Sequence, residues 1–201
     1  MVKIDAKLVA ELRARTGAGM MDCRKALEES GGDLDKAQEI LRAKGAAKAD
    51  KRSGREASEG LIESYVHFNG RVAVLVEVNC ETDFVARTDD FKALAKDIAL
   101  HVASARPIAV RIEDLPPDVV ERERRIFEAQ AADEKKPEAV RQKMVEGRLR
   151  KFYEENVLLE QKFVKDETGK RTVGDLVKAL SATTGEKVTV RRFARFELGG
   201  N

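Results

Sequence analysis

Apolar residues recur along the chain in two rhythms, and the point where one gives way to the other divides it. From residue 1 to about 45 the spacing is helical. Ile4, Leu8 and Leu12 fall at i, i+4 and i+8, with Val9 widening the stripe, which predicts an amphipathic helix. Thr16-Gly17-Ala18-Gly19 should stop it, because glycine supplies the backbone freedom of a tight turn. Met20 to Glu29 predicts a second helix, closed by Ser30-Gly31-Gly32. Asp33 is the expected N-cap of a third, with Leu34, Ala37, Ile40 and Leu41 facing inward and Gly45 as its stop. From Ala46 to Glu59 large apolar residues nearly vanish. That stretch predicts a hydrophilic linker with room for some helix, its basic run a solvated spacer rather than a nucleic-acid arm.

The period then switches to two. Leu61 to Phe68, Asn69-Gly70 and Arg71 to Cys80 read as two strands and their turn, since Asn-Gly accepts the positive φ angles of a tight hairpin. Val72, Val74, Val76, Val78 and Cys80 share one face, with Leu61, Tyr65 and His67 opposite them. Thr88 caps the next expected helix, striped by Phe91, Leu94, Ala95, Ile98 and Val102 and ended by Pro107. Pro116-Pro117 opens a charged helix reaching Ala132, and Pro137 starts another, with Val145, Leu149, Phe152 and Tyr153 toward a core. Thr172 to Ala182 predicts a last helix, and Lys187 to Leu198 a final strand along which Val188, Val190, Ala194, Phe196 and Leu198 alternate. The expected fold is α+β: a three-helix module over 1–45, a linker over 46–59, and a core over 60–201 of a small antiparallel sheet packed with helices.

Charge changes this picture little. The 38 basic and 36 acidic residues nearly cancel, whereas proteins that track phosphates carry a concentrated basic excess. Nucleic acid is therefore not the expected ligand. Cys23 and Cys80 form no Cys-x-x-Cys pair, and no signal peptide precedes the first helix, so a reducing, cytoplasmic compartment is expected. No apolar run approaches the ~20 residues that span a bilayer. His67 and His101 have no Cys or His at metal-ligand spacing. Both are expected at the surface or the edge of the core, and no metal or cofactor is expected.

Enzyme signatures are absent: no phosphate-cradling glycine loop, no dinucleotide fingerprint and no nucleophile elbow. Two stretches stand out instead. In Leu12-Arg13-Ala14-Arg15-Thr16-Gly17-Ala18-Gly19-Met20-Met21-Asp22-Cys23-Arg24, adjacent methionines follow a Gly-x-Gly turn, so both cannot enter a three-helix core. Either they form a polarizable binding patch, or Met20 plugs the bundle and Met21 is incidental. Glu77-Val78-Asn79-Cys80-Glu81-Thr82-Asp83-Phe84-Val85-Ala86-Arg87 lies between a strand end and a helix start. Such a junction can expose a probe on a rigid base. Alternatively Thr82 or Asp83 caps local amides and Phe84 folds back as core.

Both stretches, in this order, resemble the two signatures of the elongation factor Ts family, and the ending Val190-Arg191-Arg192-Phe193-Ala194-Arg195-Phe196-Glu197 is similar too. The resemblance covers nearly the whole chain. It implies a ubiquitin-associated-like bundle that docks on the nucleotide domain of the GTPase elongation factor Tu through Arg13, Met20, Met21 and Arg24. It also implies that Asp83 and Phe84 approach switch II, where the aromatic ring wedges in and disorders the Mg²⁺ site. Arg24 stands where lysine is common, which keeps the charge and adds a planar fork. One core copy instead of two implies the short form of the family, in which two chains act together as a homodimer. The implied activity is GDP release without covalent chemistry, from a partner met both GDP-bound and nucleotide-free. A ubiquitin-associated-type adaptor and an RNA-binding translation protein are the other classes. The first leaves the Thr-Asp-Phe loop idle, and the second requires salt-sensitive RNA retention.

Overall fold

A computed structural model describes residues 4–134 and 136–200; the outermost ends of the expected module and core lie outside the described residues. The elements run α1 (Ala6–Thr16), α2 (Met20–Glu29), α3 (Leu34–Lys51), β1 (Glu59–Val66), β2 (Val72–Cys80), α4 (Asp83–Ala86), α5 (Asp89–Ala105), α6 (Pro117–Ala132), α7 (Glu138–Asn156), α8 (Val173–Thr184) and β3 (Thr189–Glu197). The strands make one antiparallel sheet in the order β1-β2-β3, and the architecture is α+β as expected. The chain divides into two compact units built from separated stretches: Met1–Leu61, Val78–Ala93 and Leu176–Thr189 in one, Ile62–Glu77, Leu94–Asp175 and Val190–Asn201 in the other.

In the first unit, α1 to α3 enclose a core of Val9, Leu12, Cys23, Ala26, Leu27 and Ala37, flanked by half-buried Ile4, Leu8, Leu34, Ile40 and Leu41. The caps follow the sequence. Gly17 ends α1 at φ 65°, and Asp33 accepts the Asp35 and Lys36 amides at 3.0 and 3.1 Å. Those amide bonds hold its carboxyl below the usual range. Gly45 departs from expectation, because α3 continues through it to Lys51 and takes up the first part of the expected linker. A Cβ at Gly45 would lie 3.1 Å from that of Ala182 on α8. Glycine serves close helix approach there, at the usual ~0.5–1 kcal/mol cost to a helix interior.

In the second unit, the strand register is set by His67 N–H donating to Val72 O and Leu198 N–H donating to Arg71 O. That register places Val66, Ala73 and Phe196 in one row and Ser64, Leu75 and Ala194 in the next. The Arg192–Glu77 ion pair at 2.7 Å spans the third row. On the other face Val74 and Val76 are buried, as are Leu94, Ala95, Ile98, Ala99 and Val102 of α5. Arg195 of β3 donates to the carbonyl of Ala103 near the end of α5. The rows through Val66 and through Leu75 are open to solvent except at half-buried Ala73. The alternation along β3 therefore does not mark a uniformly buried face, since Val190 is buried while Ala194, Phe196 and Leu198 are exposed. Helices α6 and α7 close as a hairpin on Ala131, Val145 and Leu149, backed by Phe127 and Tyr153.

His101, expected at the surface or the edge of the core, is fully buried on α5. Its Nδ1 accepts the Val164 amide at 3.2 Å, so Nε2 carries the proton and donates to Gln161 Oε1 at 3.0 Å. Gln161 in turn donates to the carbonyls of Ala105 and Glu155. The ring thus pins the 157–164 segment in its neutral form only. Burial, partly offset by the Gln161 bond, pushes its pKa below the ordinary 6.5. Below that pH the unfolded chain takes a proton the folded one refuses, so stability is full above about 6.5 and falls as pH drops. Thermal melts from pH 7.5 to 5.5 should show this loss, and His101→Gln, which can accept and donate but not titrate, should flatten it. Parallel curves for the two proteins would contradict the assignment.

Candidate functional site

Helix α2 turns Cys23, Ala26 and Leu27 into the bundle core, and a 3.6-residue period carries Met21 and Arg24 off that stripe. Met20, seven positions before Leu27, lies at the stripe's edge but is left exposed as the first residue of the helix. Met20 is 53% exposed and Met21 64%, so the alternative in which Met20 plugs the bundle is not what the structure shows. Arg24 Nε meets Glu28 Oε1 at 3.1 Å, an exposed pair of little stability value. Arg13 is exposed in the last turn of α1, where its carbonyl receives the Gly17 amide that ends the helix. Two flexible thioethers and two guanidinium groups thus flank the connection between α1 and α2, a surface suited to a protein partner.

The second stretch begins where β2 stops. Gly60, opposite this strand end, has φ 146°, and a Cβ there would fall 2.1 Å from Val78 O. The approach admits no side chain. Asn79 is buried and donates to Glu59 O at 3.1 Å. Cys80 Sγ–H donates to Thr82 O at 3.1 Å. Burial, with the Glu186 carboxylate nearby, pushes the Cys80 thiol up to about 11. It remains a protonated donor and no nucleophile.

Thr82 then caps α4, its hydroxyl accepting the Val85 amide at 3.4 Å. Asp83 opens that one-turn helix and pairs with Arg87 at 2.9 Å. Phe84 points away from the core at 78% exposure. One alternative read from the sequence is half right: Thr82 does cap local amides, but Phe84 does not fold back. A large ring in water on a capped turn has no structural use within the chain.

A carboxylate far away in sequence holds this turn. Glu186 accepts the Glu81 amide at 3.1 Å, the Thr82 amide at 3.0 Å and the Thr82 hydroxyl at 2.6 Å. Glu81 answers by accepting the Lys187 amide at 2.5 Å. That bond, with Arg55 adding to it, holds the Glu81 carboxyl below its usual range. Sequence reading missed Glu186, because its partners lie 104 and 105 positions away and no local pattern marks it. Arg13, Met20, Met21, Arg24, Asp83 and Phe84 all fall in the first compact unit, four on the helical bundle and two on the turn after β2. Among the described residues no group of His, Cys, Asp or Glu is placed to hold a metal ion, and no helix is long and apolar enough to cross a membrane.

Comparison with known proteins places these features in a context. The family model described as "Elongation factor TS" matches residues 48–200. A protein named Elongation factor Ts from Desulforamulus reducens is 56% identical, over 99% of this chain and 91% of its own length. One of the same name from Carboxydothermus hydrogenoformans is 57% identical, over 98% and 89%. Another from Syntrophobacter fumaroxidans is 52% identical over 98% of each chain.

Because Phe84 fills no space in the core, Phe84→Ala should change unfolding free energy by no more than about 0.5 kcal/mol. Leu27→Ala, which empties a fully buried site, should cost about 2–5 kcal/mol. Denaturant titrations of both variants check the contrast, and a loss at Phe84 as large as that at Leu27 would return the ring to the core.

Proposed function

The chain belongs to the elongation factor Ts family of translation factors, and from that premise we propose that it is the guanine-nucleotide exchange factor of elongation factor Tu. The observation that carries the reading is the exposed Phe84 on a capped turn anchored at Thr82. A GTPase holds GDP through backbone amides around the phosphates, a lysine, and Mg²⁺ bridging to phosphate oxygens. Displacing that ion removes the largest positive charge from the site and loosens the nucleotide. No covalent bond need change, so the factor works by binding energy alone and is not an enzyme. It needs no cofactor of its own.

Each part of the chain has a place in this reading. The bundle of residues 1–45 docks on the nucleotide domain through Arg13, Met20, Met21 and Arg24. Residues 46–59 connect it to the core of 60–201, which presents Asp83 and Phe84 to the switch II side. Weakening GDP by ~10⁴-fold requires ~5.5 kcal/mol of differential binding between empty and loaded GTPase. A buried aromatic wedge and a methionine patch can supply it, since interface hot spots reach ~2 kcal/mol or more each. Release of fluorescent GDP from elongation factor Tu should slow at least tenfold with Phe84→Ala. The pair Met20→Ala and Met21→Ala should instead weaken association, mostly through faster dissociation. Wild-type rates for both would remove these residues from the mechanism.

The open face of the sheet supports a working dimer, and a role in translation would set it in the cytoplasm. Ile62, Val66, Phe68, Leu75, Phe196 and Leu198 are all exposed on or beside this sheet, and clustered exposed apolar side chains favour an interaction surface. The proposed occupant is a second copy of the chain, because one face packing on itself about a two-fold axis closes the assembly. The buried free cysteines offer no covalent link, so reductant should leave the dimer intact. Light scattering at micromolar concentration should give twice the chain mass of 22.3 kDa, and Val66→Lys with Phe196→Lys should halve it. A wild-type mass near 22.3 kDa with full exchange activity would show that one chain suffices.

A further inference from the structure

We propose that Glu186 is the positioning residue of the exchange factor, the group that keeps Thr82-Asp83-Phe84 aimed at the partner before contact. The proposal rests on the exchange reading above. Phe84 is largely exposed and has little packing to orient it, so its direction depends mainly on the backbone beneath it. Helix α4 is only four residues long and is too short to hold itself. The anchoring comes instead from the turn between α8 and β3. Glu186 Oε2 takes the Glu81 and Thr82 amides, and Oε1 takes the Thr82 hydroxyl proton. With its one hydrogen committed there, the hydroxyl turns a lone pair to the Val85 amide, which is the cap of α4.

The anchor is itself fixed. Ser181 Oγ–H donates to the Glu186 carbonyl at 2.6 Å. Glu81 reaches back to the Lys187 amide and to Arg55 at 3.3 Å. Lys187 Nζ donates to the Arg55 carbonyl at 2.7 Å. Each loop thus offers a carboxylate to the backbone of the other. All of these groups lie in one compact unit. Charge-assisted bonds of this kind are the stronger sort, and ordering the turn in advance spares the complex that entropy on binding.

The test compares Glu186→Ala, Glu186→Gln and wild type in the full chain. Amide hydrogen exchange of residues 80–86, in the protein without partner, should speed at least tenfold in Glu186→Ala while the α1–α3 bundle keeps its protection. Glu186→Gln should largely restore it, because the side-chain carbonyl can accept both amides and the NH₂ can donate to Thr82 Oγ. If Glu186→Ala does not fold, Glu186→Asp, which keeps the charge on a shorter arm, serves in its place. With elongation factor Tu and fluorescent GDP, Glu186→Ala should lower the saturating release rate at least fivefold with little change in the half-saturating concentration. Adding Phe84→Ala to it should cost little more, as expected of residues acting as a unit. Unchanged exchange at 80–86, or effects of the two substitutions that multiply fully, would overturn the assignment. A wild-type chain that leaves GDP release unaltered would refute the exchange reading, while the hydrogen-exchange comparison would still decide what Glu186 does.

Discussion

An aromatic ring held in water contributes nothing to the core, so the backbone under Phe84 must be stabilised from elsewhere. The reciprocal contacts of Glu81 and Glu186 meet that requirement, tying the end of β2 to the turn that precedes β3. The features around them serve the same end. Gly60 lets β1 approach the strand end with no side chain between, Cys80 keeps its proton and spends it on Thr82, and Thr82 closes α4. The result is a hydrogen-bonded base under an exposed ring, as the proposed insertion requires.

Much of the fold was legible because its signals are local. The i, i+4 stripe of Leu8 and Leu12, the Asp33 cap, the Asn69-Gly70 turn and the helix-opening Pro117 each act within a few residues. Gly45 was misread for the opposite reason. Its role depends on Ala182, more than a hundred positions away, and a glycine that admits a neighbour looks in sequence like one that ends a helix. The burial of His101 is likewise not legible as more than a surface or edge-of-core position, since its partners Gln161 and Val164 are brought to it only by the fold.

The candidate site divides along the same line. That Met20 and Met21 could not both be buried follows from their adjacency, and the structure exposes both. The direction of Phe84 did not follow. A capped turn is also compatible with a ring folded inward, and the turn is bonded to a carboxylate from the far end of the chain. On β3 the alternation was read correctly as a strand, but alternation alone does not tell whether a face meets a helix or solvent. Ala194, Phe196 and Leu198 meet solvent.

Differential binding is the central claim, and thermodynamic linkage makes it testable in one closed cycle. If the chain loosens GDP by preferring the empty GTPase, GDP must weaken the chain's own binding by the same factor. Titration calorimetry of the chain against elongation factor Tu, nucleotide-free and saturated with GDP, measures that factor directly. The account predicts binding to the empty form tighter by at least a thousandfold, equal to the ratio of GDP affinities with and without the chain. Equal affinity for the two forms would contradict it.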